Sequence, residues 1–130
     1  NAPAYSDVVR EVREFLDARV AAARAAGIDD CRLVLDPGFG FGKSLQHNLA
    51  LFRALTATGV EDLPMLVGVS RKSMLGAITG RSVDQRLAAS IAAATLAALK
   101  GAKILRVHDV AETSDALAVL GAIEEGAGNE

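Results

Sequence analysis

Three short apolar runs, Leu33 to Leu35, Met65 to Val69 and Ile104 to Val107, alternate with four amphipathic stretches, and this alternation constrains the fold more than any other feature of the chain. Runs this short and this continuously apolar predict strands buried on both faces, as in a parallel sheet. Ser6 or Asp7 can cap a first helix in which Val9, Val12, Leu16 and Val20 share a face until Gly27 stops it. Leu45, Leu49, Phe52 and Leu55 form a second stripe, with Gly59 just past its end. Ser82-Val83-Asp84-Gln85 has the capping-box pattern of a third helix, carrying Leu87, Ile91, Ala94 and Ala98 before Gly101. A fourth carries Ala116, Val119, Leu120 and Ile123 and ends near Gly126. About three strands and four helices in this order predict an α/β fold built from right-handed crossovers. An open doubly wound sheet and a (β/α)8 barrel both fit, and periodicity does not choose between them.

Composition removes several function classes. Apolar residues make up 51% of the 130-residue chain, enough for a sizeable core in one domain or part of one. Fourteen basic residues against sixteen acidic ones leave no basic excess for a nucleic-acid surface. The longest apolar stretch, Ile91 to Leu99, is broken by Thr95 and falls far short of the ~20 residues that cross a bilayer. The start, Asn1-Ala2-Pro3-Ala4-Tyr5, resembles neither a native N-terminus nor a secretion signal, so the chain is expected to begin mid-protein. Cys31 is the single cysteine, which excludes an internal disulfide, fits a reducing cytosol and predicts a small buried apolar residue.

Chemistry concentrates at the ends of the predicted strands. Asp36-Pro37-Gly38-Phe39-Gly40-Phe41-Gly42-Lys43 places a carboxylate after the first strand and follows it with three alternating glycines, which let main chain turn tightly and approach a ligand. Gly42-Lys43-Ser44 has the tail of a phosphate loop, but Pro37 occupies the position of that motif's first glycine. Dinucleotide fingerprints started at Gly38 or Gly40 fail at Lys43 and Leu45. Ser70-Arg71-Lys72-Ser73 follows the second strand, and Arg106 and His108 close the third. Singly, Lys72 reads as a solvated loop lysine, Arg106 as a snorkelling side chain and His108 as a satisfied polar group. Jointly, they place a carboxylate and three cationic or potentially cationic groups at the strand ends where both candidate folds build active sites, which suits an anionic ligand that also carries donors.

Three segments, Asp36 to Lys43, Leu66-Val67-Gly68-Val69-Ser70-Arg71-Lys72-Ser73 and Arg106-Val107-His108-Asp109-Val110, resemble the signatures of dihydropteroate synthases in order and spacing. That resemblance implies a TIM-type (β/α)8 barrel and the condensation of 6-hydroxymethyl-7,8-dihydropterin diphosphate with 4-aminobenzoate, releasing diphosphate in folate synthesis. Sulfonamides compete with the aminobenzoate in that family. Carried over, Asp36 would accept from the pterin's donor edge, Lys72 would reach ring acceptors, and Arg106 would lie along the pterin face. Arg106 and His108 would hold the diphosphate, so Lys72, Arg106 and His108 are the expected catalytic residues. Phe41 would wall the aminobenzoate, Ser70 and Ser73 would receive its carboxylate, and Gly68 would admit substrate. The resemblance further implies Mg2+ carried mainly by the diphosphate and by residues outside this chain, with no metal ligand here, and a cytoplasmic homodimer.

A complete barrel takes ~250 residues, so residues 1–130 are expected to form the C-terminal portion of a single pterin-binding barrel whose N-terminal portion, with the first five strands, is absent from this chain. A related pterin-binding methyltransferase barrel and a non-catalytic pterin-binding or assembly module are the alternatives. A sheet of three strands would leave two open edges and an uncovered apolar face. Expressed alone, the fragment is therefore expected to aggregate or stay molten and to make no dihydropteroate. A cooperative melt accompanied by turnover, in the purified fragment, would contradict this.

Overall fold

The structure, a computed structural model, describes residues 7–126. In chain order it contains α1 (Val8–Ala25), α2 (Leu45–Arg53), β1 (Leu66–Val67), α3 (Ser73–Thr79), α4 (Leu87–Leu99), β2 (Ile104–Leu105) and α5 (Val110–Gly126). The α/β order holds, and the strands are parallel: Leu66 pairs with Ile104 and Val67 with Leu105. The first predicted strand shrinks to one parallel bridge, Leu35 to Met65, made by Leu35 N–H donating to Pro64 O (2.8 Å) and Leu66 N–H to Leu35 O (2.7 Å). Leu35 is buried there, whereas Val34 is exposed. The second and third predicted strands likewise shorten to β1 and β2, and Ile104 is left exposed on the edge strand.

Helix α1 starts at Asp7, whose carboxylate accepts from Arg10 N–H, while Ser6 lies outside the described residues. Its buried face is Val8, Val12, Leu16 and Val20, so Val8 replaces the expected Val9 at the start of the stripe. The α-helical part of α2 ends at Arg53, and Leu55, buried as expected, falls in a following tight turn; Asn48 and Leu51 are the fully buried residues of the helix, with Leu45 and Phe52 of the expected stripe half-buried against the core. The expected capping box at Ser82 does not form: the Ser82 hydroxyl turns to Asp84 and Gln85, and no side chain caps α4. A capping box closes the start of α2 instead, with Ser44 accepting from His47 N–H and the His47 ring accepting from Ser44 N–H.

Small residues decide how α4 packs. Ser90, Ala93, Ala94 and Ala97 are buried, which brings the helix close to its neighbours, while Leu87 turns out to solvent. Helix α5 carries polar residues on every side of its first turn and again at Glu124 and Glu125, so no apolar stripe fixes its orientation, and Val119 and Ile123 of the expected face are exposed. Helix α3 has no counterpart in the sequence reading; it ends at Gly80, a left-handed C-cap whose N–H donates to Gly76 O. Cys31, expected to be buried, is exposed in the short turn Asp30–Arg32.

The core gathers α1, α2 and the strands around Phe39, Leu51, Leu55, Val67 and Ala97, each nearly inaccessible. Parallel pairing with helices between the strands is the architecture of part of a (β/α)8 barrel. Leu51 has no exposed surface, so Leu51→Ala should lower stability by about 2–5 kcal/mol. Leu99→Ala, on the exposed side of α4, should change it by less than about 0.5 kcal/mol. Urea unfolding of the full natural chain with an unchanged slope checks both; equal effects would show that the core is placed elsewhere.

Candidate functional site

The glycine loop is held by its own polar groups. Gly38, Gly40 and Gly42 all take positive φ (76°, 90° and 65°), a region that a side chain would strain. Gly38 N–H donates to Asp36 Oδ1 at 2.9 Å, Lys43 Nζ donates to Gly38 O at 2.7 Å, and Gly40 N–H donates to Asn48 Oδ1 at 3.0 Å. Asn48 is buried, so its amide anchors the loop from inside the core. Alternation along the loop sends Phe39 into that core, tilted against Phe52 with ring centroids 5.5 Å apart, and Phe41 out to solvent, 69% exposed.

The Ser70-Arg71-Lys72-Ser73 turn reaches back to this loop. Lys72 Nζ donates to Phe39 O at 2.7 Å and lies 5.0 Å above the Phe41 ring. The lysine stem passes so near Gly40 that an added Cβ there would touch Cδ at 3.5 Å. Ser70 Oγ and His108 Nδ1 are 2.8 Å apart, and His108 N–H also reaches Ser70 Oγ at 3.3 Å. Arg106 packs closely against Gly68, where an added Cβ would stand only 2.9 Å from its Nη2 and 3.0 Å from its Nε. Glycine at that position therefore gives the guanidinium its resting place.

Two recesses result. Gly68, Ser70, Lys72, Arg106, Val107 and His108 line one of about 250 Å³, with no carboxylate on its wall. Asp36 and Phe41 line another, of about 510 Å³, between α1 and the glycine loop, together with Glu11, Phe15 and Lys43. Lys72 stands on the divide, close enough to feel the charges of both Asp36 and Arg106. Ser73, the first residue of α3, is exposed and lines neither recess. Burial pushes both Lys72 and Lys43 below the usual lysine pKa. Arg106 and Lys43 depress Lys72 further, against the opposing pull of Asp36.

Among the described residues no group of three His, Cys, Asp or Glu side chains comes together. The smaller recess presents ammonium, guanidinium and imidazole groups. Those residues suit an anion and do not fit a divalent cation that requires oxygen ligands. The polar residues that the sequence reading passed over are Asn48, Arg86, Ser90 and Asp109. Asn48 left a trace, since positions 45, 48, 52 and 55 form an apolar stripe that it interrupts with an amide.

The family described as pterin binding enzyme matches residues 1–108. The dihydropteroate synthase of Neisseria meningitidis serogroup C is 54% identical over 117 residues, which cover 88% of this chain and 41% of that protein. The structure of Burkholderia cenocepacia dihydropteroate synthase complexed with 7,8-dihydropteroate superposes with a TM-score of 0.94 at 49% identity, covering 100% of this chain and 49% of that one. For the Xanthomonas albilineans dihydropteroate synthase with 4-aminobenzoic acid the TM-score is 0.92 at 52% identity, covering 95% of this chain and 45% of that one. The chain thus spans less than half the length of these proteins.

The electrostatic balance at Lys72 is open to measurement by lysine-resolved NMR titration. Neutralising Arg106, as in Arg106→Gln, removes a charge that lowers the Lys72 pKa and should raise it. Asp36→Asn removes a charge that raises it and should lower it further. Shifts of the same sign in the two variants would contradict the placement of Lys72 between them.

Proposed function

The chain belongs to the pterin binding enzyme family, and on that premise we propose that it contributes to a dihydropteroate synthase, which joins 6-hydroxymethyl-7,8-dihydropterin diphosphate to 4-aminobenzoate. The observation that carries this reading is the recess where Lys72, Arg106 and His108 meet without a carboxylate, beside the Asp36 loop. Such a wall suits a diphosphate, and a neighbouring carboxylate suits the amino and ring N–H edge of a pterin. The synthase is favoured over a pterin-binding methyltransferase because the relatives quoted above are synthases.

In the proposed reaction the aminobenzoate nitrogen forms a bond to the exocyclic methylene carbon of the pterin. The carbon–oxygen bond to diphosphate breaks, its electron pair leaves with the diphosphate, and the amine gives up a proton. Negative charge grows on the departing oxygen, so fixed cations that meet it there lower the barrier. Arg106 and His108 take that role. Arg106, held against Gly68, also offers its planar face to the pterin ring. Lys72 reaches pterin acceptors while its stem and the Phe41 ring wall the aminobenzoate. Ser70 receives the carboxylate at the recess wall, Ser73 meets it from the exposed start of α3, and Gly68 keeps space for the Arg106 guanidinium beside the substrate. Sulfonamides, which share the aminobenzoate's shape, compete for the same wall. Any magnesium ion would be carried by the diphosphate and by residues outside this chain.

We assign the remaining barrel strands to the part of the relatives' length that this chain does not span, and a homodimer and a cytoplasmic location to the whole protein. No helix among the described residues is long and apolar enough to cross a membrane. In the full natural chain, Asp36→Asn should weaken pterin binding by about 1.5–3 kcal/mol, because it sets a donor against a donor edge. Arg106→Lys keeps the charge but loses the planar fork, and should lower turnover by roughly tenfold or more. Calorimetry and steady-state kinetics read the two. Parental pterin affinity in the first variant together with parental turnover in the second would overturn the proposed roles.

A further inference from the structure

Arg71 adopts φ 59°, a left-handed conformation that is costly for a long side chain. Such a residue persists only where its surroundings over-determine it, and here three groups do so. Arg71 N–H donates to Ser90 Oγ at 2.9 Å, its guanidinium pairs with Asp109 Oδ1 at 3.0 Å, and its carbonyl accepts from Arg86 Nη1 at 2.9 Å. The two residues that this twist orients, Ser70 and Lys72, both line the smaller recess.

Arg86 reaches Arg71 by an unusual route. Its Nε donates to Arg81 O at 3.1 Å, so one planar fork spans two carbonyls on either side of α3. The guanidinium occupies the space that a side chain at position 76 would fill: an added Cβ on Gly76 would lie 2.6 Å from Arg86 Cζ and 2.8 Å from Nε. Glycine inside a helix costs about 1 kcal/mol relative to alanine, and nothing in the backbone of α3 calls for it, since Gly76 does not take the positive φ that recurs in the glycine loop. The contact with Arg86 accounts for it.

We propose that Arg86, seated on Gly76, is a positioning residue that fixes the Ser70-Arg71-Lys72 turn and so places Lys72 and Ser70 in the site. Arg86 and Gly76 line neither recess and act only through Arg71. The kinetic consequence rests on the synthase reading above, whereas the placement of Lys72 is observable without any substrate.

The test compares Gly76→Ala, Arg86→Ala, Arg86→Lys and the Gly76→Ala/Arg86→Ala double variant in the full natural chain. Alanine favours a helix, but its Cβ would displace the Arg86 guanidinium and its two hydrogen bonds, so the two effects offset and Gly76→Ala should melt within a few degrees of the parent. It should nevertheless release Lys72 toward solvent, moving its NMR titration up toward the ordinary lysine value of 10.5. The KM for 4-aminobenzoate should rise about tenfold, in keeping with the cost of small misplacements in a site. Arg86→Ala should do the same, and the double variant should match Arg86→Ala alone, because both changes remove one contact. Arg86→Lys should not restore the parent, since an ammonium lacks the fork that spans two carbonyls. Parental Lys72 titration in both Gly76→Ala and Arg86→Lys would overturn the proposal, as would additive shifts in the double variant. If the parent shows no synthase turnover, the proposed function falls, and the Lys72 titration still decides the role of Arg86.

Discussion

One hydrogen bond ties the candidate site together: the Lys72 ammonium on the Phe39 carbonyl, at 2.7 Å. The two residues are 33 positions apart and belong to loops that follow different strand positions, so nothing local sets their distance. It is set by parallel pairing, which carries Leu35 beside Met65 and brings both loops to the same end of the sheet. The lysine stem runs alongside Gly40, where the positive φ and not a lack of room calls for glycine. Phe39 can present its carbonyl outward because its ring is locked in the core against Phe52.

Several costs are accepted to keep this arrangement. Lys72 and Lys43 are partly desolvated as cations, and Lys72 also sits near Arg106. Arg71 holds a strained backbone conformation, and Gly76 weakens a helix of only seven residues. These departures gather around one end of the sheet, where a ligand of opposite charge would offset the first of them. By contrast, the exposed network of Arg24 with Asp30 and Glu61 lies on the surface, away from both recesses, and contributes little to the account.

Much of this was legible in the sequence because strand ends in parallel folds are predictable places for chemistry. The runs ending at Leu35, Val69 and Val107 were enough to put Asp36, the Ser70 turn and the Arg106-His108 pair at one end of a sheet. Strand lengths were not legible: Leu33-Leu35 looks like a strand, yet only Leu35 finds a partner. Helix α3 escaped notice because Gly76 breaks its apolar pattern, and the reason for that glycine lies ten residues away, in Arg86. On α4 the expected stripe holds at Ala94 and fails at Leu87, because small residues, Ser90, Ala93 and Ala97 among them, set the close packing against the neighbouring helices. The division into two recesses depends on the course of the Lys72 side chain, which no periodicity encodes.

The central claim is that the two recesses serve one bimolecular reaction, with diphosphate leaving from the cationic side. The most direct measurement incubates the full natural chain with 6-hydroxymethyl-7,8-dihydropterin diphosphate and 4-aminobenzoate, and follows both products by mass spectrometry and diphosphate assay. 7,8-Dihydropteroate and diphosphate should appear in equal amounts, neither forming when aminobenzoate is withheld. A folded protein that binds the pterin yet yields no dihydropteroate would contradict it.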